Sequence, residues 1–213
     1  MPTATPLRRS HRDRSDATRA QLIAAAIRVV REKAFHGASV FEVAKAAGVT
    51  PGAFQHHFGT KAELMMQVTE SILRGDLDDP LAWPKATASL RRRAEGAVQA
   101  LWKRVYEPER FLVAWQIYFG SASDDALRER LAAKRAELSQ VLHGRFLGTF
   151  PELAGQRDGA AFVDTVLSTL RGIAMTRLFG PQQELVDAQL AQLARLIELR
   201  CAAAPASNRR KTT

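Results

Sequence analysis

Residues 39–61 read SVFEVAKAAGVTPGAFQHHFGTK, and this stretch decides the fold. Ser39 and Glu42 stand at S-x-x-E spacing, the pattern in which a hydroxyl caps a helix N-terminus and an acid three residues on supports it. Val43, Ala44 and Ala47 give that helix an inward face. At Gly48 the helix can end, because glycine takes the left-handed conformation without a Cβ penalty. Thr50 is a good N-cap and Pro51 suits the first helical position, where no N–H is needed. A second helix therefore starts almost where the first one stops. Thr60 and Glu63 repeat the capping pattern and place Lys61 at the start of a third helix. Two helices joined by a short turn containing glycine form the pattern of a helix-turn-helix.

The second of these helices, Thr50 to Phe58, has two faces. At about 100° per residue Phe54 and Phe58 share one face, which must turn into a core. Gly52 and His56 point away, flanked by Ala53 and Gln55, with Pro51 and His57 nearer the margin. The small residues allow the helix backbone close to a major groove. Gln55 can pair in bidentate fashion with an adenine edge, and His56 can donate to a base or a phosphate. Pro51, Gly52, Ala53, Gln55 and His56 are thus the candidate base-facing set. Ser39, Thr50, His57 and Lys61 are the candidate phosphate contacts, Lys61 because it joins a cation to a helix N-terminus. His56 and His57 are adjacent, so their rings point about 100° apart and do not converge on one ion. No metal is expected.

The 213 residues are enough to bury a core and to form one or two domains. The single cysteine, Cys201, rules out an intrachain disulfide and a cysteine-based zinc site, and fits a reducing compartment. Arg8, Arg9, Arg12 and Arg14 are followed by no apolar run, so no secretory signal is read. No apolar run approaches the roughly 18 residues of a membrane span. A cytoplasmic protein with no membrane partner is expected. The net charge of +9 is unevenly placed: residues 1–61 carry +6, residues 62–208 are neutral, and Arg209, Arg210 and Lys211 supply the rest. A neutral body with a basic head is the electrostatic footprint of a nucleic-acid binder.

Residues 1–15 show no apolar period and read as a disordered basic arm, able to reach a phosphate backbone or a minor groove. A helix from Asp16 to Lys33 follows, with Leu22, Ala26, Val29 and Val30 at helical spacing. T-R-x-x-L-I-x-A-A over 18–26, together with the whole of 39–61, resembles the N-terminal domain of the TetR-type (tetracycline-repressor-like) transcriptional regulators. The resemblance implies an all-helical homodimer in which three N-terminal helices bind DNA and a larger C-terminal domain dimerises and binds a small effector. Two positions depart from the family pattern. Ala34 stands in a turn where many members have glycine. Gln55 stands where most have tyrosine, a usual phosphate contact, which makes Gln55 a candidate specificity residue.

Beyond Lys61, Leu64, Val68 and Ile72 form one stripe of a fourth helix, which the resemblance makes a connector to the effector domain. Residues 75–80, GDLDDP, break it. A long helix over 85–106 carries Leu90, Ala94, Val98, Leu101 and Val105, and its Arg91-Arg92-Arg93 run reads as a solvated face. Phe111, Trp115, Tyr118 and Phe119 follow, and aromatics at helical spacing suit a core as well as a ligand. By resemblance these four and Trp102 are the effector-pocket candidates, and they hint at a moderately hydrophobic ligand. Ser123-Asp124 caps a helix with Leu127, Leu131, Leu138, Val141 and Leu142 at helical spacing. The last two helices, 159–179 and 182–203, meet at Gly180-Pro181. Phe162, Val166, Leu170 and Ile173 line one; Val186, Leu190, Leu193 and Ile197 line the other. Such a pair suits a four-helix dimer interface or packing within one subunit, and the resemblance favours the dimer.

The expected architecture is all-α: a disordered arm over 1–15, a three-helix helix-turn-helix DNA-binding domain over 16–61, a helical effector-binding and dimerisation domain over 62–203, and a disordered tail over 204–213. The expected function is a ligand-responsive repressor, a homodimer on a pseudo-palindromic operator in double-stranded DNA, with no cofactor. The competing readings are a sequence-indifferent architectural DNA-binding protein and a helical enzyme acting on a small molecule. No nucleophile with a base and no paired carboxylates at helical spacing point to the enzyme.

Overall fold

Apolar residues three and four apart drive helix after helix along this chain. The computed structural model describes residues 11–74, 83–106, 109–180 and 182–203, and among these no strand occurs. Helix α1 spans His11–Gly37, α2 Val40–Ala47, α3 Pro51–Phe58 and α4 Lys61–Arg74. Helix α5, Leu90–Leu101, runs on into a π-helical turn, Trp102–Tyr106. Then come α6 (Glu109–Gly120), α7 (Asp125–Thr149), α8 (Gly159–Thr176) with a 3₁₀ turn over Arg177–Phe179, and α9 (Gln183–Ala202). Helix α1 starts inside the stretch read as an arm. The first ten residues of that arm, the break over 75–80, Pro181 and the tail over 204–213 lie outside the described residues.

The chain forms two compact units, Met1–Ile72 with Leu112–Ala132, and Leu73–Phe111 with Ala133–Thr213. The first unit reaches past the expected boundary at Lys61. Helix α1 and the two eight-residue helices do not close this core alone: α4 adds Leu64, Met65, Val68 and Ile72, α6 adds Val113 and Ile117, and α7 adds Leu127 and Leu131. Leu22, Ala26 and Val30 of α1, Val43 and Ala44 of α2 and Phe54 of α3 are fully buried at its centre.

The caps form as the spacing predicts, but the acids do other work. Ser39 Oγ accepts from Glu42 N, Thr50 Oγ1 from Ala53 N, and Thr60 Oγ1 from Glu63 N. The Glu42 carboxylate turns to Lys33 of α1, and Glu63 to Arg130 of α7. Each partner holds its carboxyl below the usual range. Gly48 ends α2 at φ 69°, ψ 28°, the left-handed cap expected of it.

Ala34 is the exceptional backbone. Its φ of 56° and ψ of 179° lie in a region that only glycine enters without strain. The next residue, Phe35, is pinned on two sides. Lys61 donates its ammonium to the Phe35 carbonyl, and a Cβ added at Gly120 would stand 2.3 Å from Phe35 Cβ.

In the second unit α5 packs along α9. Ala94, Ala97, Val98 and Leu101 of α5 and Val186, Leu190, Leu193 and Ile197 of α9 are all buried. Arg93 corrects the reading of the arginine run as a solvated face. It is 6% exposed and meets both oxygens of Glu152 and the Thr149 carbonyl. A buried guanidinium needs such a partner to offset its lost hydration. Tyr106 is buried in the π-helical turn, and burial pushes its hydroxyl up to about 12 against the pull of Arg171.

The residues expected at a subunit contact also need correction. Val166, Leu170, Ile173, Val186, Leu190, Leu193 and Ile197 are buried within the single chain. Phe162 is half-buried under the Arg200 guanidinium. This apolar face is covered from inside, in part by α5. The exposed apolar residues near it are Leu178, Phe179, Leu185, Leu196 and Leu199.

Ala34→Gly is expected to raise the stability of the first unit by about 1 kcal/mol, the strain removed less the entropy that glycine adds to the unfolded chain. Gly120→Ala is expected to lower it, since the new methyl meets Phe35. Thermal unfolding of the two variants checks both signs; a destabilised Ala34→Gly would mean that the turn is not strained.

Candidate nucleic-acid interface

Helix α3 is short, so its orientation depends on what holds its ends. Thr50 caps the start, and Pro51 occupies the first position. Phe54 and Phe58 are 0% and 5% exposed, with ring centroids 5.9 Å apart, and fix the inward face. At the C-terminal end Arg19 of α1 donates to the His57 carbonyl at 3.4 Å and lies 4.8 Å from the Phe58 ring centroid. Arg28 does the same for α2, donating to the Ala46 carbonyl at 3.0 Å. Lys61 does it for the end of α1, at the Phe35 carbonyl, with its ammonium 4.2 Å from the Phe35 ring centroid. Three carbonyls at or near helix ends, where the partial charge is negative, thus receive a cation from another helix, and the Phe35 carbonyl also accepts from Ala38 N.

The outward face of α3 is as the helical period requires. Pro51, Gly52, Gln55 and His56 are exposed, and Ala53 is half-buried at the flank. Gly52 has only the Thr50 hydroxyl near the position of a Cβ, at 3.8 Å, so the backbone there is open to close approach. Gln55 presents an amide with both a donor and an acceptor, the pair an adenine edge complements. The hydroxyls of Ser39 and Thr50 each accept a capping bond, and each keeps its proton to donate outward.

His57 and Lys61 differ from the other phosphate candidates. His57 is half-buried, and burial, then the nearby His56 and Arg19, lower its pKa, which favours the neutral ring in the free protein. Either form of the ring has an N–H that it could donate to a phosphate. Lys61 is turned inward onto Phe35, and burial lowers its pKa too. The expectation that Lys61 reaches a phosphate is therefore corrected: the Phe35 carbonyl, at the end of a strained turn, takes its ammonium. Arg28 belongs to no motif, and Arg19 stands in the T-R-x-x-L-I-x-A-A stretch with no role assigned, because a basic residue on an amphipathic helix reads as surface. Only the position of a neighbouring helix end reveals their work.

Two substitutions separate reading from holding. Gln55→Ala should relax preference at one base pair, worth roughly 1–3 kcal/mol there, with little change in stability. Lys61→Met should lower the melting point of the first unit and leave the slope of log K against log salt unchanged; a slope smaller by about one would restore Lys61 to the phosphate.

Comparison with known proteins agrees with this geometry. Residues 22–68 match the family model of bacterial regulatory proteins, tetR family. The chain is 27% identical to the HTH-type transcriptional regulator CymR of Pseudomonas putida over 184 residues, 84% of this chain and 89% of that one. In fold it is similar to a transcriptional regulator from Rhodococcus sp. Rha1, with TM-score 0.71 at 24% identity, over 88% of this chain and 99% of the other. The multidrug binding protein EbrR, solved with imidazole, aligns with TM-score 0.58 at 22% identity over 89% and 97%. With its outward face exposed, the helix-turn-helix within residues 22–68 is of the TetR type, and the chain that carries it is a DNA-binding transcriptional regulator.

Proposed function

We propose that this regulator is a repressor, a homodimer that holds a pseudo-palindromic operator until a small effector releases it. The observation that carries the DNA side of the reading is the division within α3: Phe54 and Phe58 are buried, while Gln55 and His56 project freely from a helix braced at both ends. Two such helices on a two-fold axis would enter successive major grooves, with half-sites about one helical turn apart or a multiple of it. Ser39, Thr50 and residues of the arm over 1–15 would supply phosphate contacts, and so most of the affinity.

The dimer we propose uses the outer faces of α8 and α9. On α9, Leu185, Leu196 and Leu199 are exposed. On α8, Ala161, Thr165, Thr169 and Gly172 are exposed, small, and spaced four, four and three apart. The hydroxyls of Thr165 and Thr169 donate to backbone carbonyls within the helix, so the face offers methyl groups and open backbone to a neighbour. Small residues facing leucines suit close helix packing in a four-helix bundle.

The effector-binding part of the reading assigns residues 62–203 to ligand and partner, and residues 16–61 to DNA. Trp115, Tyr118 and Phe119 form an aromatic cluster with centroids 5.3–6.1 Å apart, and Phe119 is 59% exposed. In the second unit Trp102 and Phe111 are buried, Phe111 edge-on to Tyr106 at 5.2 Å. Both groups suit a moderately hydrophobic ligand, and the name of EbrR as a multidrug binding protein agrees with that chemistry. An effector shifts the dimer only by its differential affinity for the bound and released states. No helix among the described residues is long and apolar enough to cross a membrane, and the site of action on this reading is the cytoplasm, where the operator is. The reading includes no catalytic role.

Selection of bound sequences from random DNA by the purified full-length chain, repeated with a panel of metabolites, tests the proposal. An inverted repeat released by one apolar compound is expected; retention of all sequences alike, untouched by every compound, would contradict it. For the dimer, Leu196→Arg with Leu199→Arg should give a monomer by sedimentation and cost at least about a hundredfold in operator affinity, because both half-sites must be held together. A variant that still sediments as a dimer would exclude this face.

A further inference from the structure

Among the described residues of α1 to α4, Phe41 is the one large apolar side chain left exposed, at 62%. It sits in the first turn of α2, two residues after the N-cap Ser39. Its neighbours fix which way it points. Val43 and Ala44 turn into the core. Glu42 is held to α1 by Lys33, and Arg28 of α1 takes the carbonyl of Ala46. At about 100° per residue, Glu42 and Ala46 lie on one flank of α2, and Phe41 lies on the other, beside Ala44. Both α1 and α3 pack on α2. With α1 on the Glu42 flank, α3 comes against the flank that carries Phe41.

That flank is where DNA would run. In a helix-turn-helix the second helix enters the major groove and the first crosses the sugar–phosphate backbone beside it. Phe41 therefore stands at the edge of the groove that Gln55 and His56 enter, close to the Ser39 hydroxyl. An aromatic ring has no donor or acceptor with which to read a hydrogen-bonding edge. The one apolar group on the major-groove edge of a base pair is the thymine C5-methyl, and phenylalanine is among the side chains that pack on it. Burying the ring there also removes from water an apolar surface that the free protein exposes.

We propose that Phe41 is a specificity residue, reading a thymine methyl at the groove edge by apolar contact. The reading rests on sequence-specific binding by the dimer, so an enriched operator for the wild-type chain is established first, and its absence is the failure of that premise and not of Phe41. Each thymine of the operator is then replaced singly by deoxyuridine, which deletes the methyl and keeps the base pair. Wild type is expected to lose about fourfold in affinity at one thymine of each half-site, the effect of one buried methyl-sized group. Phe41→Ala should bind the thymine and deoxyuridine operators equally, and Phe41→Leu should keep part of the discrimination. Both variants should melt as wild type does, since the side chain is exposed. Two outcomes overturn the proposal: Phe41→Ala that still discriminates thymine from deoxyuridine at every position where wild type does, or a wild type indifferent to every such replacement, which would place the ring on sugar.

Discussion

The head of this protein depends on cations that cap helix ends from the side. Lys61 at the Phe35 carbonyl, Arg28 at Ala46 and Arg19 at His57 each meet the negative end of a helix that a glycine or a strained turn has stopped. A charged hydrogen bond to a carbonyl is worth about 1.5–3 kcal/mol, more than most neutral ones. In helices of eight residues, too short to be stable alone, such bonds and the Phe54–Phe58 anchor decide the direction of the axis. Direction is what a reading helix needs, because a rotation of a few tens of degrees would carry Gln55 out of the groove.

The same residues explain why the positive head is not simply a sticky one. Of the ten basic residues over 1–61, Arg19, Arg28, Lys33 and Lys61 are engaged with protein groups. They add to the positive potential that draws DNA in but are held back from direct phosphate contact. On the proposed reading, the groove-facing contacts of α2 and α3 then fall to uncharged groups, two capping hydroxyls, a glutamine and a phenylalanine among them, beside the basic arm on the phosphates. Such a surface favours discrimination over indiscriminate affinity.

Local chemistry was legible in the sequence, and tertiary pairing was not. The caps at Ser39, Thr50, Thr60 and Asp124, the left-handed Gly48, and the two faces of α3 are properties of a few adjacent residues, and they stand as read. Glu42 and Glu63 look like the second halves of capping boxes, yet find Lys33 and Arg130, partners at a distance in the chain. Lys61 has the look of an anion site at a helix start, but the carbonyl that claims it lies 26 residues earlier. The apolar stripes of α8 and α9 were visible, yet a period says only that a face is covered, not by what. Here the chain itself, α5 included, does the covering, and the surface left for a second copy is the less regular one. The last arginine of the run of three, Arg93, was unreadable for the same reason, since only the fold brings Glu152 to it.

The central claim is that α3, held by this clamped head, reads base edges from the major groove in two symmetric copies. Methylation interference on selected DNA tests it most directly, because dimethyl sulfate marks guanine N7 in the major groove and adenine N3 in the minor groove. The expected result is interference from guanine N7 in two clusters whose centres are about one helical turn apart or a multiple of it, with adenine N3 silent between them. Interference confined to adenine N3, or none at any base, would contradict it.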